Sequence, residues 1–305
     1  MDKVIRIGTR ESQLAVWQAT QVKDLLCGLG YRPELTYIKS DGDTDLKTPL
    51  YEIGVQGIFT RALDIALLNG DIDIAVHSMK DVPTIMAKGI VTAAVLPRAS
   101  HKDILVPRPG DSFSEHASHL VIATSSIRRK AQWLHRYPNT RIENLRGNVN
   151  TRLRKVAEGD WNGAIFAAAG LERIGLRPEN AIDLDWMLPA PAQGAILVVC
   201  RENDIDSMEA CAGFHNQDTS ICTGIERDFL RALLGGCSTP ISAFARVAAG
   251  RIIFHGNILS KDGHKKVSIE KEGPLSDASR MGYEAARELL AAGGQEILDS
   301  IRNEM

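Results

Sequence analysis

The sequence predicts an α/β protein of two lobes joined by a hinge, followed by a small α+β domain with an antiparallel sheet. Short apolar strands alternate with helices through both lobes, an order typical of parallel sheets with crossover helices. After the second lobe, residues 195–201 form an apolar run that we expect to return as a strand to the first sheet. Two connections would then join the lobes, as in proteins that close about a hinge. Three β segments between two helices end the chain.

The composition is that of a soluble globular protein with two or three domains. The 305 residues are 44% hydrophobic and 24% charged, and the net charge of -2 gives no general attraction to nucleic acid or anionic membranes. No apolar run approaches the roughly 18 residues that span a bilayer, and residues 1–12 contain no signal-peptide core. The five cysteines are widely spaced without a CxxC pair, which argues against disulfides and a zinc site. We therefore expect a cytoplasmic protein without a metal.

The first lobe opens with a strand at 4–8 and an amphipathic helix at about 12–26. Ser12 is placed to cap this helix, and Arg10 lies just ahead of its positive end. Exposed amides, a hydroxyl and a guanidinium together favour a carboxylate or phosphate. A helix cap beside a surface arginine explains the same residues, so both interpretations stay open.

A second strand at 34–39 leads into residues 40–57, which show no periodicity and precede a helix at 58–68. A segment of this length without regular structure is usually mobile or functional. Its spaced aspartates are similar to the start of a calcium loop, but the glycine required at the sixth position is missing, so we do not expect calcium.

Residues 71–84, DIDIAVHSMKDVPT, organise the first lobe. An apolar strand at 72–76 runs into a polar cluster that includes His77, Lys80 and Asp81. Ligands of α/β domains lie beyond the carboxyl ends of strands, so this cluster predicts a site. A solvated loop with a lysine–aspartate pair is the alternative. A further strand at 91–96 precedes the edge of the lobe, near residues 97–105.

The second lobe repeats one pattern three times. Strands at 120–123, 141–145 and 164–168 are each followed by small or polar residues and by a helix that carries arginine. In the third case Gly170 is expected to precede a short helix that carries Arg173. Between residues 120 and 155 there are seven arginines, two lysines and one acidic residue. Arginine at helix starts favours planar pairing with carboxylates. Nucleic acid is the alternative ligand, but only two aromatic residues are available for stacking, so we favour a small polyanion.

The third domain begins with a helix at about 220–234, and its three β segments lie at Ile241–Ala248, Arg251–Leu259 and 265–272 before a helix at 277–292. Cys237 lies in a Gly-Gly turn between the first helix and the first strand. An exposed nucleophile and a buried small apolar residue are both consistent with that position.

Seven motifs keep their order along the chain: RIGTRES at 6–12, DIAVHSMKDVP at 73–83, TSSIRR at 124–129, LRGNVNTRL at 145–153, AGLERIGL at 169–176, QGA at 193–195 and GGCSTPI at 235–241. Together they resemble the motifs of the porphobilinogen deaminase (hydroxymethylbilane synthase) family over nearly the whole chain. The resemblance implies two periplasmic-binding-protein-like lobes and a smaller third domain. It also implies a transferase of tetrapyrrole (porphyrin, heme) biosynthesis, which joins four porphobilinogen units, releases ammonia from each, and frees hydroxymethylbilane with water.

The resemblance implies a resident cofactor, a dipyrromethane primer held by a thioether to Cys237. Asp81 matches the family's catalytic aspartate, which is placed to protonate the leaving amine and stabilise a cationic pyrrole. Each pyrrole carries two carboxylates, which accounts for the arginines. The residues matched to primer binding are Lys80, Asp81, Thr124, Ser125, Ser126, Arg128, Arg129, Arg146 and Gly170. Those matched to porphobilinogen and the growing chain are Arg10, Ser12, Arg152, Arg173 and Gln193.

Three departures from the family pattern stand out. Gln56 replaces a lysine, Asp41 replaces a cation, and PAPAQG at 189–194 stands where PAVGQG is usual, which keeps Gln193 but alters the turn before it. The first two put the contribution of residues 40–57 to carboxylate binding in doubt.

We expect the first lobe to span 1–97 and 195–214, the second 101–190, and the third domain 218–305, in a monomer without an obligate protein partner. Two other functions stay open. A non-catalytic two-lobe binding protein for a carboxylated metabolite explains the arginines but not the GGC turn. A thiol enzyme that uses Cys237 with His77 as base does not need so many arginines.

Overall fold

The computed structural model describes residues 4–39, 59–110, 113, 119–233 and 239–303. These residues divide into two compact units. The first unit contains residues 4–39, 59–99 and 194–220, and the second contains the remainder, including both the second lobe and the C-terminal domain. The sequence-based division into three domains about a hinge stays a prediction.

The helices and strands follow one another along the chain as β1 Val4–Thr9, α1 Gln13–Gly28, β2 Arg32–Tyr37, α2 Arg61–Asn69, β3 Ile74–Ser78, β4 Ile90–Val95, β5 Asp103–Pro107, β6 Val121–Ala123, α3 Ile127–Arg136, β7 Arg141–Glu143, α4 Val149–Glu158, β8 Gly163–Ala167, α5 Ala168–Glu172, β9 Ile182–Asp183, β10 Ile196–Arg201, α6 Ile205–Ala212, α7 Gln217–Ala232, β11 Ile241–Ala248, β12 Arg251–Leu259, β13 Lys266–Pro274, α8 Ala278–Leu289 and α9 Gln295–Asn303.

The first unit is built on a five-stranded sheet in the order β2-β1-β3-β10-β4. β1, β2 and β3 are parallel, whereas β10 runs antiparallel to both of its neighbours and pairs Ile196 with Ser78. The prediction that the chain returns to the first sheet after the second lobe is confirmed. The return strand inserts between β3 and β4, so residues from both ends of the unit form one apolar core under α1.

The second lobe has its own five-stranded sheet, in the order β7-β6-β8-β5-β9. β6, β7 and β8 are parallel, as the alternating pattern predicted, but β5 runs antiparallel between β8 and β9. The prolines at 97, 107 and 109, with Gly110, predict a connection after the first lobe. The structure instead has β5 within this stretch, and β5 is buried along its whole length. Apolar side chains cover both faces of the sheet, with Trp133 of α3 on one face and Val156 of α4 on the other.

The C-terminal domain is the predicted α+β unit, an antiparallel sheet β11-β12-β13 against α7, α8 and α9. Two of its three strands have the predicted bounds. Gly256 of β12 lies where a Cβ atom would come within 2.7 Å of the Phe229 ring of α7, so only glycine permits this approach of helix and sheet.

Within the second unit, the other face of this small sheet packs on α3. The side chain of Gln132 donates from Nε2 to Ser242 Oγ on β11 at 3.0 Å, and His135 Nδ1 donates to the carbonyl of Gly263 at 2.8 Å. Gly263 is close enough that a Cβ atom there would lie 2.6 Å from the Ala131 carbonyl oxygen. α3, which contains the predicted arginines, therefore also packs against the C-terminal domain.

Three further details differ from the sequence analysis. Gly170 does not precede its helix but lies within the five-residue α5, and Arg173 is at the C-terminal end of that helix rather than at its start. α6 and α9 were not predicted. No helix in the described part of the chain is long and apolar enough to cross a membrane.

Candidate functional site

The exit of β3 presents Lys80 and Asp81 in a three-residue 3-10 turn, Met79–Asp81. Met79 is buried, and its amide donates to the Ala195 carbonyl just before β10 at 3.0 Å. Lys80 and Asp81 are half-buried. The turn is therefore fixed from below by the return strand, while its two charged side chains keep access to solvent.

The start of α1 lies beside this turn. The hydroxyl of Ser12 accepts from the Ala15 amide, so Ser12 is the N-cap that the sequence predicted. One and a half turns later, Gln18 is buried and donates from Nε2 to the hydroxyl of Ser78 at 2.9 Å. The guanidinium carbon of Arg10 lies 4.6 Å from the centre of the Phe59 ring. The structure thus brings two predicted parts of the site, the α1 start and the β3 exit, to one edge of the first sheet.

His77 does not face that edge. Its side chain is 6% exposed and lines a cavity of about 20 Å³ together with Asp64 of α2. Its Nε2 atom has no hydrogen-bond partner among the residues that the structure describes. Burial, with a smaller contribution from the charge of Arg10, lowers the pKa of His77 to about 4. The imidazole is therefore neutral at pH 7 and enclosed within the first unit.

In the second unit, the start of α3 combines hydroxyl groups with two arginines. Ser126 is the N-cap and accepts from the Arg129 amide, and Thr124 Oγ1 accepts from the Ser126 amide at 3.2 Å. Arg128 and Arg129 are 5% and 7% exposed. Both guanidinium groups contact the carboxylate of Asp103, at 2.7 Å each.

Ser125 connects this helix start to the next strand exit. Its hydroxyl contacts the Leu145 carbonyl at 2.5 Å and accepts from the Leu145 amide at 3.0 Å. The following residue, Arg146, is 3% exposed. Arg152 Nε donates to the Gly147 carbonyl at 2.7 Å. The exits of β6 and β7 are therefore held side by side, with arginines from both.

Arg173 and Gly170 lie on the third strand exit of this sheet, after β8. Arg173 is half-buried, and this burial lowers its pKa to about 10, with Glu172 opposing the shift. The guanidinium remains charged at pH 7. Because the exits of β6, β7 and β8 share one edge of the sheet, the predicted cations of the second lobe gather there.

Gln193 is fully buried, and its amide nitrogen donates to the carbonyl of His101 at 2.8 Å and to Asp103 Oδ1 at 3.0 Å. These contacts hold the chain as it leaves the second lobe. The substrate-binding role expected of Gln193 stays a prediction.

Asp103, the carboxylate that joins Gln193 to the arginines, was not predicted from the sequence. An Asp before a short apolar run was its only signal, and its partners lie 25 and 26 residues further along the chain.

Cys237 lies outside the described residues, as do Asp41 and Gln56. Of the four cysteines in the described ranges, Cys200, Cys211 and Cys222 are buried and Cys27 is exposed at the end of α1. Burial raises the pKa of Cys200 to about 11 and that of Cys211 to about 12, so these two thiols are protonated at neutral pH.

Two family models match the chain. "Porphobilinogen deaminase, dipyromethane cofactor binding domain" matches residues 5–209, and "Porphobilinogen deaminase, C-terminal domain" matches residues 220–291. Among solved structures, the methionine binding protein MetQ is 13% identical, with a TM-score of 0.43 over 68% of this chain and 89% of that chain. Because the TM-score and the identity are this low, the fold assignment rests on the strand orders described above.

Curated relatives cover nearly the whole chain. Porphobilinogen deaminase of Syntrophotalea carbinolica is 41% identical over 97% of this chain and 96% of its own length. Porphobilinogen deaminase of Acidithiobacillus ferrooxidans is 39% identical over 99% of this chain and 100% of its own length. The chloroplastic porphobilinogen deaminase of Oryza sativa subsp. japonica is 40% identical over 98% of this chain and 87% of its own length. The chain belongs to the porphobilinogen deaminase family.

Proposed function

We propose that the chain joins four porphobilinogen molecules head to tail into hydroxymethylbilane, on a dipyrromethane primer attached to Cys237. Each condensation forms a carbon–carbon bond between two pyrroles and breaks two bonds. The bond to the aminomethyl nitrogen breaks and the nitrogen leaves as ammonia, and the attacking pyrrole carbon loses its C–H proton, which balances the proton taken up by the departing amine. Water then breaks the bond between primer and product. We assign porphobilinogen and the growing pyrrole chain as the binding partners. We assign the cytoplasm as the location of the protein.

The observation that carries this proposal is the set of cationic and hydroxyl donors at the strand exits of the second lobe. A dipyrromethane carries carboxylates on both rings and requires several cations at short range. The exits of β6, β7 and β8 supply Arg128, Arg129, Arg146 and Arg173 beside the serines at the α3 start. Donors of this type suit a polycarboxylate, and the primer fits them.

The chemical group assigned to the reaction is the carboxylate of Asp81. When bound, the primer supplies the nucleophilic pyrrole carbon. Asp81 protonates the departing amine of porphobilinogen and then, as a carboxylate, holds the electron-poor pyrrole through its N–H. Lys80, in the same turn, pairs with a primer carboxylate. We assign Arg10, Ser12 and Arg152 to the carboxylates of incoming substrate and the elongating chain.

Cys237 is assigned as the attachment residue on the GGC motif and on the properties of the other cysteines. Three of the four described cysteines are buried, and two have raised thiol pKa values, which disfavours reaction at those positions. Cys27 is exposed but lies at the far end of α1 from Ser12.

Intact mass of the purified protein tests function and attachment together. We expect a mass above that of the polypeptide by one dipyrromethane, rising in single-pyrrole steps when porphobilinogen is added. Cys237→Ser should show the bare polypeptide mass in both samples, whereas the control Cys27→Ser should behave like the wild type. A normal adduct on Cys237→Ser would refute the attachment site.

An unmodified wild-type mass with and without porphobilinogen would instead favour the two-lobe binding protein for a carboxylated metabolite. That function explains the arginines equally well, so covalent loading is the property that separates the two.

A further inference from the structure

Asp103 lies at the ligand edge of the second lobe because β5 runs against its neighbour. In the antiparallel pair, Asp103, the first residue of β5, is opposite Ala167, the last residue of β8. It therefore lies at the edge where β6 and β8 end. Asp103 shares a strand face with Leu105, which packs with Trp133 of α3, and so its side chain points to the same helix.

Every oxygen of this carboxylate is engaged. Oδ2 accepts from Arg128 Nη2 at 2.7 Å. Oδ1 accepts from Arg129 Nη2 at 2.7 Å and Nε at 3.1 Å, and from Gln193 Nε2 at 3.0 Å. The remaining polar contacts of the two guanidinium groups include the carbonyls of Leu188 and Ile165. The cluster is tied to four separate segments of the second unit.

The charges in this cluster do not balance. Asp103 is fully buried and supplies one negative charge, while two nearly buried guanidinium groups supply two positive charges. An uncompensated buried charge is costly, and loss of the shared carboxylate would leave two of them side by side. Burial lowers the pKa of Arg128, and the charge of Asp103 opposes that shift. The arrangement is one anion short of neutrality.

We propose that Asp103 is the positioning residue of the primer site: it is the counterion that holds Arg128 and Arg129 at the start of α3 until a carboxylate of the primer completes the charge balance. This inference rests on the function proposed above. It assigns Asp103 no contact with the reacting atoms, and its effect on the primer passes through the two arginines.

The test compares thermal unfolding of primer-free and primer-loaded protein. Full-length chain is produced in cells that make no porphobilinogen, and loading with added porphobilinogen is followed by intact mass. The test variant is Asp103→Asn, which keeps the shape and removes the charge. The matched control is Asp183→Asn, at the β9 edge of the same sheet, whose carboxylate contacts Lys102 and Arg177 instead.

We expect Asp103→Asn to lower the Tm of the primer-free protein by about 5 °C or more. Loading should then raise its Tm by at least about 3 °C more than it raises that of the wild type, because primer carboxylates replace the missing anion. Asp183→Asn should show the wild-type gain. Equal gains in Asp103→Asn and the wild type would overturn the proposal, since a purely structural carboxylate stabilises both states alike.

Two further variants keep the test decisive if Asp103→Asn does not fold. Asp103→Asn combined with Arg129→Gln restores the wild-type net charge of the cluster and should recover folding. Asp103→Glu keeps the anion and should load at a rate within about tenfold of wild type. A double variant no more stable than Asp103→Asn would contradict the charge argument. A wild-type protein that folds but never gains mass would refute the proposed function instead.

Discussion

Asp81 combines a fixed backbone with an accessible side chain, and this combination suits a group that must hold and transfer a proton. The buried Met79 and its hydrogen bond to Ala195 secure the turn, while the carboxylate remains half-buried at the strand exit. A residue placed in this way can be changed chemically without disturbing the fold around it.

We expect Asp81→Asn to load primer but to lose at least about 100-fold in the rate of hydroxymethylbilane formation, the usual cost of removing a general acid–base group. Product formation measures the rate, and intact mass reports the primer. Asp71→Asn, at an exposed aspartate three residues before the start of β3, is the control. Turnover near the wild-type rate in Asp81→Asn would remove Asp81 from the mechanism.

Local signals predicted the two helix caps at the candidate site, because the partners of a cap are close in sequence. Ser12 and Ser126 each cap the helix that follows, because each hydroxyl accepts a hydrogen bond from the backbone amide three residues later. Asp103 could not be found in this way, since nothing near it in the sequence indicates two arginines more than twenty residues away. Arg173 was placed at the wrong end of its helix because the strand passes into α5 without a connecting turn.

Among the elements, the hairpin β11–β12 has a turn that its residues suit imperfectly. Ala249 and Gly250 form a two-residue connection, with φ of 49° and 72°. Positive φ at both positions is the geometry for which Asn-Gly is preferred, whereas alanine is strained by about 1 kcal/mol. Ala249 is exposed, so no packing depends on its methyl group.

We therefore expect Ala249→Asn to raise the free energy of unfolding by about 0.5–1 kcal/mol, measured by urea denaturation. The control is Ala192→Gly in the 189–194 segment, which also relieves a positive φ, of 62°, but at a fully buried site. There the lost methyl burial, about 0.8 kcal/mol, offsets the relief. A destabilised Ala249→Asn would show that the turn is not strained.

Elements with strong periodicity were predicted, and elements that break a rule were missed. β11 and β12 alternate clearly and were placed to the residue. β5 was missed because an aspartate opens it and Pro107 ends it, although proline is tolerated at a strand end. α9 was missed because Gly293 and Gly294 indicate a helix end; Gly293 does leave the helical region at φ 106°, but the chain resumes as a helix directly afterwards.

At the scale of the whole molecule, His77 links acidity to the stability of the first unit. Its pKa is about 4 in the fold, below the value near 6.5 expected in the unfolded chain. A depressed histidine pKa means that the unfolded chain binds the proton first. The stabilisation is therefore complete above pH 6.5 and is lost as the pH falls through 6.5 toward 4.

We expect about 2 kcal/mol of stability to disappear between pH 7 and pH 5 through this one residue. Urea denaturation at several pH values measures it, and His77→Gln should flatten the pH dependence over that interval. His264→Gln, in the exposed turn before β13, is the control for loss of a histidine. An unchanged slope in His77→Gln would mean that His77 is not the group responsible.

The position of β10 in the first sheet has a consequence for synthesis on the ribosome. Among the described strands, β4 has β10 as its only neighbour, and β10 is translated about 100 residues after β4. Synthesis proceeds at roughly 5–20 residues per second, so the edges of β3 and β4 that β10 will pair with stay unpaired for on the order of 5–20 seconds. The lobe that emerges first is thus completed second, and during that delay the nascent chain carries two bare strand edges for chaperones to shield.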